Sequence, residues 1–327
     1  MDNVQDDTTL ISEAEKAYSV ERLLVAADLL KKVQDKSLLK DEHRSMLKWA
    51  EVTESGMRTL LQSPEEDGSP WTKQCERHGH RDFFVYYQVD DKNQLTSRID
   101  CAIESSLLLP ILSVFNESDL YHTWMPSFKR PFKLGIQESR KLKESGRGNQ
   151  IIQITVAMPF PVKTRDTVQH AVAVDVIEEE GAIAIQVLSE SKEDDPVIPE
   201  PASGVVRIDF ECSMLLRACP EDHPCLAKSK HEYPEGEPLI LLSLKMKVDS
   251  KISYVPLGLI NFTTRTVLGT MWSAMLSVAE EVRDDKRHSH KEMIQQEREL
   301  YDWVKARVDV MVEKMKETES SGKDGEE

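Results

Sequence analysis

The stretch YVPLGLINFTTRTVLGTMWSAMLSVAEEV, residues 254–282, decides the fold. It begins with a proline-containing entry and continues as a long helix. Ile260, Thr264, Val267, Leu268, Met271, Met275, Val278 and Val282 recur at helical spacing, so one face is apolar along its length. Met271, Trp272 and Met275 make that face wide and soft. Working outward, the preceding sequence reads in period two. Ile240, Leu242, Leu244, Met246 and Val248 alternate with polar residues just ahead of the helix. Earlier come Ile208, Phe210, Cys212, Met214 and Leu216; then Ile183, Ile185 and Val187; and before those Val168, Val172, Val174 and Val176. Ile152, Ile154, Val156 and Met158, then Ile99, Cys101 and Ile103, then Phe83, Val85 and Tyr87 complete the series. Such alternation is that of antiparallel strands with one buried face. An amphipathic helix after a long run of strands lies most simply across their sheet, which predicts an α+β fold. Whether that helix fills a core or roofs a cavity is the functional question.

Residues 10–33 and about 40–61 carry helical stripes and predict an N-terminal helical hairpin. SPEEDGSP at 63–70 breaks the chain. The expected units are therefore 1–65, a main domain over 66–285, and 286–327. In the last, Ile294, Tyr301, Val304, Val308, Met311 and Met315 form one more amphipathic stripe, suited to packing on the hairpin or to binding a partner or membrane surface; the acidic tail SSGKDGEE is expected to be disordered.

The 327 residues are 39% hydrophobic and 31% charged, with a formal net charge of -16. That acidity disfavours a nucleic-acid partner. Lys129, Arg130, Lys133, Arg140, Lys141, Lys143 and Arg147 form the one locally basic region, a solvated strand face or an anionic membrane contact. Five cysteines, an odd number, with no secretory leader predict reduced thiols and a soluble cytoplasmic protein, and the basic region is where a transient membrane contact would fall.

Candidate chemistry is sparse. Cys219, His223 and Cys225 lie close in sequence, and Cys75, His78 and His80 form a second group. Their spacing matches no familiar ligand knuckle, so loop cysteines, no metal and no cofactor are expected. His170 is the one histidine on an apolar strand pattern, either a satisfied core group or a polar contact in a pocket. No nucleophile elbow, Gly-rich phosphate loop or metalloprotease helix occurs, so no catalytic residue is assigned.

Three stretches carry a family resemblance: LPILSVFNESDLYHTW at 109–124 with Pro126 beyond it, PFPVKTRD at 159–166, and Val255-Pro256 with Leu259, Ile260 and Asn261. In their order, over residues 71–284, they resemble the START (steroidogenic acute regulatory protein-related lipid transfer) domain of the helix-grip superfamily. The resemblance implies a curved antiparallel sheet gripping a long C-terminal helix over a hydrophobic cavity. It implies binding and transfer of a single lipid (phospholipid, sterol or another apolar molecule) without covalent chemistry. Carried over, the gate is Pro159, Phe160, Pro161 and Val162 with Leu257, Leu259 and Phe262, and Arg165 and Asp166 orient the gate loop. Candidate cavity residues are Trp124, Met158, His170, Ala171, Phe210 and Met214 from the sheet side. Leu244, Met246, Val267, Met271, Trp272 and Met275 complete them. Ala171 stands where steroid-binding members carry a basic residue, so no buried sterol anchor is expected. The strand's parity is ambiguous: its valines point Val168 and Val172 inward, whereas the family comparison points Gln169 and Ala171 inward. A hairpin covering the valine face from outside reconciles them, leaving the orientation of His170 open. Two other readings remain: a cyclase- or hydratase-like enzyme of the same superfamily, with an acid/base pair converging inside, and a scaffold with a filled core and partner sites on its terminal helices.

Overall fold

The computed structural model describes residues 6–78, 81–90, 94–130, 133–158, 160–227, 231–251, 258 and 262–323. Three helices, not a hairpin of two, come first: α1 (Asp7–Ser19), α2 (Leu23–Lys32) and α3 (Asp41–Leu61). The helix expected over 10–33 breaks because Glu21 adopts a left-handed conformation, φ 63°. Only glycine, and to a lesser degree asparagine, signals that conformation in a sequence, so a glutamate there leaves the break invisible. The Asp7 carboxylate accepts the Gln34 and Asp35 amides at 2.9 and 2.8 Å and ties the end of α2 to the start of α1.

The strands are β1 (Thr72–His78), β2 (Asp82–Val89) and β3 (Leu95–Glu104), then, beyond α4 (Leu108–Asn116) and the short α5 (Tyr121–Trp124), β4 (Ser127–Phe128), β5 (Leu134–Glu144), β6 (Asn149–Ala157) and β7 (Arg165–Val176). After one turn of helix, α6 (Ile177–Glu180), come β8 (Ala182–Ser189), β9 (Val206–Arg207), β10 (Asp209–Ala218) and β11 (Leu239–Asp249). They form one curved sheet in the order β1-β2-β3-β11-β10-β8-β7-β6-β5-β4, antiparallel throughout, with β9 pairing parallel to β7. Two register shifts in β5, at Ile136/Glu138 and Lys141/Lys143, bend that strand and help the sheet curl.

A π-helical turn, Thr263–Val267, leads into α7 (Leu268–Arg283), the helix expected from residues 254–282. The chain closes with α8 (His288–Gln296) and α9 (Arg298–Lys323). Helix continues through Lys323, where disorder was expected from Ser320 onward. Once Val308, Met311 and Met315 are buried, each added residue gains a hydrogen bond without a new nucleation cost.

Alternation assigns the two faces of the sheet. Inward go Phe83, Val85, Ile99, Cys101, Ile185, Met214, Leu242 and Leu244, which join Trp272, Met275 and Val278 of α7 in the main core. Outward go Val174, Val176, Ala182, Ala184 and Leu215, which pack with Leu23, Ala27, Leu30, Trp49 and Leu60 of the N-terminal helices. The N-terminal helices therefore share a core with the sheet. Arg98, ion-paired with Asp100 at 3.0 Å, fixes the end of α3 by donating to the Leu60 and Gln62 carbonyls. Gly56 lets α3 come close where it crosses the sheet: a Cβ there would lie 2.6 Å from Ser213 Oγ and 2.8 Å from Gln186 Oε1, so those side chains would have to shift.

Candidate functional site

Between the inner face and its helical roof lies a cavity of about 460 Å³, within the size range of small-molecule sites. Its walls are built by alternate residues of consecutive strands: Ile152, Ile154 and Val156 of β6, Ile183, Ile185 and Val187 of β8, and Phe210, Cys212 and Met214 of β10. Leu112 and Phe115 of α4, Met271 of α7 and Leu300, Tyr301, Trp303 and Val304 of α9 close it.

On β7 the lining residues include Arg165, Thr167, Gln169, Ala171 and Ala173. The ambiguity of that strand is thereby resolved: from Arg165 to Ala173 odd positions meet the cavity, while Val174 and Val176 pack on the outer helices, Val174 also touching the cavity at its end. His170 goes outward with the valines. Its Nδ1 lies 2.8 Å from Glu190 Oε1, its Nε2 2.7 Å from Asn149 Oδ1, and its ring meets Trp49 of α3 edge-on at 4.8 Å. A histidine and a carboxylate do approach, but on the face away from the cavity, where neither can act on its contents.

The other expected cavity residues divide similarly. Met158, Ala171, Phe210, Met214, Leu244, Met246 and Met271 line the space. Trp272 and Met275 do not; each is 2% exposed and packed into the solid part of the core. Successive helix positions diverge by about 100°, so Met271 and Trp272 cannot share one direction. Trp124 packs with Tyr121 at a ring separation of 5.8 Å beside the cavity, and Val267 is half-buried outside its lining. The residues of α9 were missed. Tyr301 and Val304 had signalled as a stripe, but that stripe was assigned to the hairpin or a partner, whereas it packs inward against α4. Tyr301 donates to the Glu117 carboxylate, and Arg307 pairs with Asp175 and Glu178, fixing α9 across one end of the cavity.

Most polar lining groups are already bonded. Gln150 donates to the Asn116 carbonyl at 3.1 Å and accepts from Ser118 at 3.2 Å. Tyr121 donates to the Phe115 carbonyl at 2.6 Å, and burial raises its phenol above the usual range. Burial pushes the Cys212 thiol up to about 12, so it stays neutral and apolar. Among the described lining residues there is no histidine, and the one carboxylate, Asp175, is held by Arg307.

At the opposite end, Arg165 lines the cavity and clamps its rim: Nη1 donates to the Lys163 carbonyl at 2.7 Å and Nε to the Ser250 carbonyl at 3.3 Å. Burial lowers its pKa from the ordinary arginine value. Asp166 points away and accepts from Arg207 at 2.7 Å and Gln153 at 3.0 Å, holding β9 against β7. Of the expected gate, Phe160 is 97% exposed, Pro161 is exposed and Val162 half-buried. Phe262 is buried, with its ring edge-on to Phe128 at 5.3 Å. Pro159, Leu257 and Leu259 lie outside the described residues. Lys129, Arg130, Lys133 and Lys163 are exposed at this same end of the strands. Arg140 and Lys143 of the basic region are instead occupied by Gln153 and Asp195. Among the described residues no helix is long and apolar enough to cross a membrane.

No protein-family model and no curated protein matches the sequence. Similar solved structures exist. A STAR-related lipid transfer protein fragment from Xanthomonas axonopodis is 18% identical with a TM-score of 0.45, over 64% of this chain and 99% of that one. Human STARD10 is 14% identical with a TM-score of 0.48, over 76% and 83%. Human StAR-related lipid transfer protein 5 is 12% identical with a TM-score of 0.44, over 72% and 98%.

Proposed function

We propose that this chain binds one apolar lipid in the cavity and carries it between membranes, without chemistry on it, in the manner of a START domain. The observation that carries the reading is an almost wholly apolar space under the helical roof whose polar wall groups are mostly satisfied by the protein itself. Such a space gains about 25 cal/mol for each Å² of ligand surface withdrawn from water. It offers little to a polar substrate, which would leave its own groups unpaired. A filled-core scaffold is disfavoured by the cavity, and an acid/base enzyme by the outward His170 and the raised Cys212 thiol.

The exit is assigned to the end carrying Phe160. An aromatic ring 97% exposed beside four exposed cations is suited to an anionic membrane surface, with the ring entering the interface and the cations meeting headgroups. Arg165 bridges the Phe160 loop to the end of β11 and ties the rim together at that end. A cytoplasmic location accords with five reduced thiols.

Native mass spectrometry of the chain purified from cells, followed by extraction of bound lipid, tests this. One lipid per chain is expected. No co-purifying lipid, together with no binding from a panel of phospholipids, sterols and fatty acids, would overturn it.

A further inference from the structure

The connection between β10 and β11 runs along the outer face of β2, β3 and β11, far from the cavity. There Phe84, Tyr86, Ala102 and Leu241 form a small separate core, covered by Trp71, Leu226 and Tyr233 of the flanking segments. At its heart the fold gathers three donors. Cys219 Sγ, Cys225 Sγ and a ring nitrogen of His223 all lie within 4.8 Å of one another. Pro224 opens a single 3-10 turn, Pro224–Leu226, which folds Cys225 back so that its Sγ lies 2.8 Å from His223 Nδ1. Cys225 is fully buried and the other two are half-buried.

We propose that Cys219, His223 and Cys225 bind a zinc ion that pins the β10–β11 connection to the sheet. Two thiolates and an imidazole are the donor set of a soft, tetrahedral d¹⁰ cation and poorly suit magnesium or calcium. Zinc bonds of about 2.3 Å to sulfur and 2.0–2.1 Å to nitrogen put tetrahedral donors roughly 3.5–3.8 Å apart. The three donors already stand within 4.8 Å of one another, and the Cys225–His223 edge, at 2.8 Å, is shorter than a tetrahedral edge, so seating the ion takes side-chain shifts that open that edge. The fourth position is left to water. In the sequence the same three residues stand close together but favour loop cysteines, because the C-x3-H-x-C spacing is not that of a familiar knuckle. The convergence comes from the turn at Pro224 and from β11, whose Leu239 carbonyl accepts the Cys219 amide at 2.8 Å and holds that residue at the start of the connection. The other acidic grouping, Glu15, Glu42 and His43, has exposed carboxylates paired with Lys40 and has a different, harder donor set.

The test uses the untagged full chain, reduced and stripped of metal, titrated with Co²⁺ and then Zn²⁺. One equivalent of Co²⁺ should produce a thiolate charge-transfer band and the visible bands of tetrahedral cobalt, both abolished by Zn²⁺. Zinc should also slow hydrogen exchange across residues 219–238. Cys219→Ser, at a half-buried position that leaves the small core intact, should weaken binding by more than the roughly 10–100-fold typical of losing an outer partner of a ligand. His223→Asn should weaken it too while retaining the thiolate charge-transfer band, since both cysteines remain. Absence of the charge-transfer band in the reduced wild-type chain would overturn the proposal. So would a band untouched by Cys219→Ser and His223→Asn, or a Cys219–Cys225 disulfide that forms under mild reducing conditions and excludes the metal.

Discussion

On its outer face the sheet presents Ala182, Ala184, Ser213 and Leu215 to the N-terminal helices; on its inner face the intervening positions of the same strands present Ile183, Ile185, Cys212 and Met214 to a space. The two sets are interleaved residue by residue, yet one surface is packed solid and the other is not. Small side chains let α3 descend until Gly56 meets Ser213, so no room remains. Large side chains opposite a roof already seated on its own core through Trp272 and Met275 leave a gap that neither side can fill. The two buried histidines differ between the sides as well. On the outer side His43 is buried with both nitrogens used: Nδ1 accepts the Lys40 amide at 3.1 Å and Nε2 meets Glu15 at 3.0 Å. Above the inner face, His290 of α8 is equally buried and neither nitrogen has a partner among the described residues. Packing density, more than hydrophobicity, separates the face that stabilises from the face that binds.

The hardest challenge to this contrast is to place one substitution on each face. Ala184→Trp on the packed face should cost 3 kcal/mol or more, above the roughly 1–3 kcal/mol usual for overpacking because no space exists, and should lower the urea midpoint accordingly. Ala171→Trp should leave that midpoint nearly unchanged and instead reduce lipid uptake at least about tenfold, the equivalent of about 1.4 kcal/mol. Equal stability losses at the two sites would erase the distinction.

His290 supplies the next effect. Burial, reinforced by Arg287 and opposed by Glu281, holds its pKa at about 4, down from 6.5. The unfolded chain therefore binds the extra proton first as pH falls. Stability is full above pH 6.5 and should decline by roughly 3 kcal/mol as pH drops toward 4. Chemical denaturation across that interval, compared with His290→Leu, should show this slope in the wild type and a flatter one in the variant.

Phe160→Asp probes the open end of the cavity. Because Phe160 is exposed, the variant should fold normally and still bind lipid, while transfer between anionic vesicles slows by about tenfold, the cost of losing roughly 1.4 kcal/mol of interfacial burial. Phe262, buried against Phe128, is not an equivalent site, since a charge there would damage packing. Unchanged transfer by Phe160→Asp would move the exit elsewhere. The smallest expected effect is at the other end. Arg307→Ala removes the pairs with Asp175 and Glu178 and should destabilise α9 by about 1 kcal/mol, read as faster amide exchange in that helix with lipid affinity nearly intact.

The sequence by itself determined most of the strands, the long amphipathic helix that follows them and the alternation that gives those strands two distinct faces, because periods of two and 3.6 follow from local backbone geometry; β5 read only as a basic stretch. Met158, Phe210, Met214, Leu244, Met246 and Met271, named as cavity residues with the family resemblance, border the space, whereas Trp272 and Met275, named with them, do not. Tertiary structure decided what those faces meet. His170 and Ala171 exchange roles according to which layer covers which side of β7, and that depends on helices more than a hundred residues earlier in the chain. Tyr301 and Val304 read equally well as a partner surface and as a cavity wall until α9 is docked across α4. A gap beneath a helix leaves no mark in the sequence, since apolar side chains with the same spacing serve a filled core and an empty one; only the distance at which the roof is held distinguishes them.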